Sequence, residues 1–292
     1  MSMLLRGAPA AAALNEKTAQ FVSGLREKGV VPTLAIVRLG AREDDLSYER
    51  AAVKRCAAVG IETRCVSLPE NVSGEALEET LRSLSADASV HGILLLRPLP
   101  AALDEARILR AIAPEKDVDG AAEGSLAAVY AGTDEGFAPC TAQAVLELLD
   151  YYEIPIEGKR AVVLGRSLVV GRPAAMLLLH RGATVTLCHS KTENAAGLAR
   201  EADILIAAAG RRRRAHHGGT GRAHGKSRGA PDKINSIQKT HDRVGAKRKV
   251  PRDGMLSVDE AARAARFCSA SAATRGYRSF RGNCHERSLF TP

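Results

Sequence analysis

The chain has no apolar run approaching the roughly 18 to 20 residues that cross a bilayer, so no membrane-spanning helix is expected. Its Ala-rich start, Ala8 and Ala10 to Ala13, lacks a long apolar core and a cleavage pattern, and reads as the beginning of a surface helix. No Cys-x-x-Cys pair occurs. The six cysteines (Cys56, Cys65, Cys140, Cys188, Cys268 and Cys284) are dispersed, which argues against a zinc site and against a disulfide framework. They read as reduced thiols of a cytoplasmic protein.

Acidic residues are scarce in one part of the chain only. The net charge of +9 suggests nucleic-acid binding until it is divided along the sequence. Residues 211–292 carry 20 Lys and Arg against 6 Asp and Glu, whereas residues 1–210 carry 22 against 27. The basic character therefore belongs to the tail. That tail has only 10 Leu, Ile, Val or Phe in 82 residues, too few to offset the entropy of ordering it. Composition breaks at Gly210.

Before the break, short apolar runs alternate with amphipathic stretches, the pattern of parallel strands covered by helices. Strands are expected over 33–40, 62–68 and 92–96, with helices over about 43–59, 73–86 and 104–112. Ser73 is read as a helix cap, with Ala76, Leu77, Thr80, Leu81 and Leu84 on one face. After Gly120 the chain reads as a looser region, and Thr141 as the cap of a long helix to about Tyr152. From Lys159 onward, strands at 160–164, 183–188 and 203–208 with helices near 172–181 and 193–201 make a βαβαβ unit, half of a dinucleotide-binding fold. The fold class is α/β in two lobes. The divisions read as 1–140, 141–262 and an anomalous tail over 263–292.

In Gly165-Arg-Ser-Leu-Val-Val-Gly171-Arg-Pro173 a strand opens through a glycine turn into a helix with Pro near its first position. Backbone N–H groups at such a helix start bind a pyrophosphate. The following strand ends Leu187-Cys-His-Ser-Lys-Thr192 without the acid that holds the ribose hydroxyl of NAD, which favours NADP. A plainer reading has Ser190 and Thr192 capping the next helix.

These strings, with Ala202-Asp-Ile-Leu-Ile-Ala-Ala-x-Gly210, resemble in order and spacing the cofactor domain of the methylenetetrahydrofolate dehydrogenase/cyclohydrolase family. Ser47-Tyr48, His91-Gly-Ile-Leu, Arg97-Pro-Leu-Pro100, Pro114-Glu-Lys-Asp-Val-Asp-Gly120 and Pro139-Cys-Thr141 are similar to its folate domain. The resemblance implies NADP-dependent oxidation of 5,10-methylenetetrahydrofolate to the methenyl cation, and a homodimer. It places Tyr48 and Asp119 in the catalytic centre, Asp119 accepting hydrogen bonds from the pterin. It also places Arg97, Pro98, Leu99 and Pro100 against the folate, and Gly165, Arg166, Ser167 and Gly171 at the cofactor phosphates. Ser190 and Lys191 fall at the 2′-phosphate, and Ile234 near the nicotinamide.

Two departures stand out. Bifunctional members carry a lysine four residues after the tyrosine and a glutamine on the third strand; here those positions hold Ala52 and Leu96. Lys54 is two helical positions on, about 200° away, and should be solvated. Glu49 and Arg50 are the remaining candidate substitutes. Cyclohydrolase activity is therefore expected to be weak or absent. The second departure is the stretch after Gly210, where the family pattern is lost apart from traces at Ile234-Asn235, Asp253-Gly-Met-Leu256 and Val258-Asp-Glu260. Translation out of frame in two places produces such a pattern; an Arg-rich extension gripping nucleic-acid phosphates is the rival. Four aromatics in that stretch make a poor base-stacking surface. The sequence also leaves room for an inactive remnant. Another two-lobed dehydrogenase, such as one acting on shikimate, is disfavoured by the Pro114 to Gly120 string.

Overall fold

The computed structural model describes residues 4–209 and 255–257. After α1 (Gly7–Arg26) the first lobe is built on β1 (Thr33–Leu39), flanked in parallel by β2 (Glu62–Leu68) and β3 (Gly92–Leu95) in the order β2-β1-β3. Ile36 of β1 stands opposite Cys65 on one side and Leu94 on the other. A central parallel strand is covered on both faces, and Leu34 to Leu39 are accordingly all buried. Alternate residues divide between two cores, as the period of a strand demands. Ala35, Val37, Ile93 and Leu95 pack with Leu77, Leu81 and Leu84 of α3 (Gly74–Ala86). Leu34, Ile36, Leu94 and Leu96 pack with Ala52 and Cys56 of α2 (Glu43–Ala58).

Ser73 caps α3 as expected, its Oγ accepting from the Ala76 N–H at 3.2 Å. The buried face is turned slightly from the expected one: Ala76 is exposed, and Glu78 is buried beside Leu77 with Arg107 at 2.7 Å and Arg82 at 3.0 Å. The chain then passes through α4 (Glu105–Leu109), one turn of 3-10 helix (Pro114–Lys116), α5 (Glu123–Ala131) and α6 (Cys140–Tyr151). Here three expectations change. α4 stops short of Ile112, the region read as loose contains α5, and α6 starts before Thr141 with Pro139 at its cap position and no side-chain cap. Burial fixes α6 instead: Val145, Leu146, Leu148 and Leu149 join the core of the second lobe.

That lobe has β4 (Arg160–Leu164), α7 (Gly171–His180), β5 (Thr184–Cys188), α8 (Ala195–Glu201), β6 (Ile204–Ala207) and β7 (Met255–Ser257). Its strands are parallel in the order β5-β4-β6-β7. β7 falls on the trace read at Asp253 to Leu256, with Met255 opposite Leu205. The cap of α8 is Asn194, whose side chain accepts from the Gly197 N–H, so Ser190 and Thr192 do not cap that helix. His180 of α7 lies 2.9 Å from the Val129 carbonyl of α5 and helps to join the two lobes. Among the described residues no helix is long and apolar enough to cross a membrane.

Candidate active site

The seven-residue string from Pro114 to Gly120 divides its charged groups between structure and site. Lys116 is buried, and its ammonium donates to the Asp87 carbonyl at 2.7 Å and the Leu84 carbonyl at 3.4 Å, holding the end of α3. Asp117 is buried too; its Oδ2 accepts from the Ala122 N–H at 2.8 Å and from the Ser125 hydroxyl at 2.7 Å. These two bonds tie the turn to the start of α5. Asp119, two residues further on, is turned the other way, and its Oδ2 lies 2.6 Å from the Arg97 guanidinium. Arg97 also reaches Glu105 of α4 at 3.1 Å. Burial pushes the Asp119 carboxyl above the usual carboxylate range, while Arg97 pulls it back.

The Arg97–Asp119 pair is a wall shared by two cavities. One, of 320 Å³, is lined by Asp44, Asp45 and Tyr48 of α2 together with Leu94 to Leu96. The other, of 380 Å³, lies between the lobes, with Glu105, Cys140 and Thr141 on one side and Leu168 and Val169 on the other. The two side chains keep 23% and 31% of their surface, so a ligand in either cavity can reach them. Tyr48, Arg97 and Asp119 thus line one cavity. Pro98, Leu99 and Pro100 line neither cavity, and Leu99 packs onto the α3 face of the sheet. Asp44 and Asp45 were not singled out in the sequence, although Asp44 precedes Tyr48 by four residues, the spacing that puts two side chains on one helix face.

Ala52 and Leu96 meet in one apolar cluster with Ile36, Leu94 and Val118, and are 7% and 8% exposed. Lys54 is exposed, as the helical rotation requires. Both remaining candidates are engaged in ion pairs. Glu49 is bound to the buried Arg38 at 2.9 Å, and Arg50 pairs with Glu43 at 3.0 Å on the surface. Among the described residues no group of His, Cys, Asp or Glu is arranged to hold a metal ion.

Across the inter-lobe cavity, β4 ends in the glycine turn. Gly165 has φ +121°, and a Cβ there would stand 2.6 Å from the Ala208 carbonyl oxygen at the end of β6. A Cβ on Gly171 would strike the Gly165 carbonyl. Both positions therefore need glycine, and the backbone is left bare where a pyrophosphate would approach. Ser167 Oγ accepts from the Val170 N–H at 3.2 Å and the Gly171 N–H at 3.4 Å just before α7, while its own proton remains available to a phosphate. Beside this turn the end of β5 is tied in by the Gly165 N–H to Cys188 carbonyl bond at 2.8 Å. Thr192 closes a tight turn onto His189, which leaves Ser190 and Lys191 exposed at its tip. Arg166 is exposed on the neighbouring loop. A bare glycine cradle flanked by hydroxyl and basic groups, with no carboxylate in residues 189–192, fits NADP. Ile234 lies outside the described residues.

A parallel sheet whose first strand ends in a glycine turn, with Leu168 and Val169 of that turn's segment lining a cavity between two lobes, is the arrangement of a two-lobed, dinucleotide-dependent oxidoreductase. Comparison with known proteins narrows this to one family. Residues 5–119 match the catalytic domain of tetrahydrofolate dehydrogenase/cyclohydrolase, and residues 139–217 match its NAD(P)-binding domain. The chain belongs to the tetrahydrofolate dehydrogenase/cyclohydrolase family. It is 50% identical over 213 residues to the bifunctional protein FolD of Alkaliphilus oremlandii, covering 73% of this chain and 75% of that one. To FolD of Carboxydothermus hydrogenoformans it is 50% identical over 211 residues, 72% and 74% of the two chains. Among solved structures, the FolD methylenetetrahydrofolate dehydrogenase/cyclohydrolase of Campylobacter jejuni superposes with a TM-score of 0.77 at 28% identity, covering 95% of this chain and 99% of that one. The Trypanosoma brucei enzyme, complexed with NADP cofactor and inhibitor, gives 0.72 at 28% identity over 96% and 99%.

Proposed function

We propose that the protein oxidises 5,10-methylenetetrahydrofolate to the methenyl form with NADP, and that it hydrolyses the methenyl ring poorly or not at all. The observation that carries the first part is that Asp119 is shared by two cavities, one lined by Tyr48 and the other by Leu168 and Val169 of the segment between Gly165 and Gly171. NADP accepts the hydride. The chain's own part is to hold the donor carbon in line and to tolerate the positive charge left behind. Tyr48 supplies a flat face for the pterin, and Asp119 accepts hydrogen bonds from its amino and ring N–H groups. Gly165, Arg166, Ser167 and Gly171 hold the cofactor phosphates, and Ser190 with Lys191 the 2′-phosphate.

The second part rests on Ala52 and Leu96. Hydrolysis needs a group that takes a proton from water beside the attacked carbon, and at these two positions the wall of the site is apolar and close-packed. We infer in addition a cytoplasmic homodimer: the dimer from the family resemblance, the compartment from four free cysteines among the described residues. The basic residues of 211–292 are not read as a nucleic-acid site. Matches to curated relatives that span about 210 residues are in keeping with a chain whose family pattern is lost after Gly210.

The test is paired. Purified protein given 5,10-methylenetetrahydrofolate is expected to form NADPH much faster than NADH, and given methenyltetrahydrofolate to hydrolyse it little faster than buffer. Absence of NADPH formation sinks the first part. Hydrolysis as fast as oxidation sinks the second.

A further inference from the structure

Among the described residues that line the two cavities, Arg97 is the sole cation, and Asp44, Asp45, Glu105, Asp119 and Glu123 are the carboxylates. Its guanidinium is held between two of them, 2.6 Å from Asp119 Oδ2 and 3.1 Å from Glu105 Oε1. The bond to Asp119 uses Oδ2 only, which leaves Oδ1 for a ligand. Leu94, Leu95 and Leu96 line the same cavity as Asp119 with apolar side chains. With Ala52 where bifunctional relatives carry a lysine, no second cation among the described residues lines the pocket.

We propose that Arg97 is a positioning residue for the dehydrogenase: anchored by Glu105, it fixes Asp119 as an oriented carboxylate on the wall between the two cavities, ready to receive the pterin. The inference rests on the dehydrogenase reading above. The geometry gives each end of the guanidinium a separate task. One nitrogen holds Glu105 and stops the side chain from swinging into either cavity; the other holds Asp119 and sets which oxygen is presented. A guanidinium can do both at once because its donors form a rigid planar fork, whereas an ammonium is a single point.

The groups that act on Asp119 are Arg97 from the segment after β3, Glu105 through Arg97 from α4, and Asp117 two residues before it. From α2 come Asp44, Asp45 and Tyr48, from α5 Glu123, and from the start of α6 Cys140. Burial already favours the protonated carboxyl and Asp117 adds to it; Arg97 opposes both. Removing the guanidinium removes that opposition, so the carboxyl titrates at higher pH. Ligand that needs the ionised form then binds less well below that pH, by about tenfold for each unit of upward movement.

The experiment measures tetrahydrofolate binding by calorimetry from pH 5.5 to pH 9, with NADP present, for the unmodified chain, Arg97→Met, Arg97→Lys and Glu105→Gln. The same proteins are assayed for KM and kcat. In Arg97→Met the dissociation constant is expected to rise by tenfold or more at the acid end and to approach the unmodified value at pH 9. KM should follow, with kcat changed less. Arg97→Lys keeps a charge and should restore most of the pH profile, while Glu105→Gln should weaken binding by a few-fold without moving the profile. A pH profile in Arg97→Met that is unmoved, its affinity merely scaled at every pH, overturns the proposal and leaves the dehydrogenase reading intact. Unmodified protein that binds no tetrahydrofolate at any pH overturns both.

Discussion

Restoring the two missing polar groups tests the account of the apolar wall directly. Leu96 is 8% exposed and Ala52 is 7% exposed, within one cluster. Leu96→Gln alone gives up about 1.5 to 3 kcal/mol of apolar burial and leaves an amide without a partner, at about 1 to 3 kcal/mol more. A loss of about 3 to 5 kcal/mol is therefore expected. Ala52→Lys alone brings an ammonium against Ile36, Leu94 and Val118; its stem can lie along these side chains only if the head reaches Asp119. A cost of several kcal/mol is expected, lessened by that reach. In the double variant the amide and the ammonium can bond to each other. A hydrogen bond to a charged group contributes about 1.5 to 3 kcal/mol, so the double variant should be more stable than the sum of the single ones by about that amount. Urea unfolding of all four proteins completes the cycle. Methenyltetrahydrofolate hydrolysis should follow the same pattern, with a gain of about a hundredfold in the double variant. Stabilities that add to within about 0.5 kcal/mol mean that side chains at 52 and 96 do not meet, and the reasoning from their packing fails.

Three other outcomes follow from the geometry. Ser190→Ala with Lys191→Ala should raise the KM for NADP by about tenfold and leave the KM for NAD nearly unchanged, since the pair lies at the tip of an exposed turn and carries no fold-holding bond; equal losses for both cofactors would contradict the 2′-phosphate assignment. Ser167→Ala removes the Oγ that accepts from Val170 and Gly171, which should cost about 1 kcal/mol in thermal unfolding and weaken NADP binding as well; normal affinity would show that no phosphate meets this hydroxyl. His91 accepts from the Thr33 N–H through Nδ1 at 3.2 Å, and burial holds its pKa below the ordinary 6.5. The unfolded chain then binds the proton more readily, so this contribution to stability is full above about pH 6.5 and is lost as pH falls toward the lower folded value. His91→Asn, which keeps an acceptor but does not titrate, should flatten urea midpoints between pH 5 and pH 7.

Much of the fold could be read because the informative residues are local. Ser73 marks its helix through a bond three residues away, and the run Leu34 to Val37 is apolar enough to mark β1 as a buried strand. What escaped depends on partners distant in sequence. α5 lacks a side-chain cap, and its start is held by Asp117, whose role appears only when Ala122 and Ser125 are seen bound to it. α6 likewise lacks a cap and is fixed by a core assembled from the other lobe. The site divides in the same way. Tyr48, Asp119 and the glycine turn announce themselves by motif, whereas the engagement of Arg97 by Glu105 and Asp119 belongs to the folded chain alone.

The loss at positions 52 and 96 is compatible with the dehydrogenase reaction because the two activities ask different things of the wall. Hydride removal leaves a cation, and a pocket with several carboxylates and one guanidinium already favours positive charge without any proton moving. A lysine at position 52 would oppose that charge unless it were neutral when needed, which is the condition for its acting on water. On the proposed reading, Ala52 and Leu96 stand where that proton carrier and the group that tunes it would be. On that reading the oxidation loses nothing that it uses, since Tyr48 and Asp119 still line one cavity. Under the proposal Asp119 bears the consequence, with Arg97 at 2.6 Å as the cation that opposes its protonation.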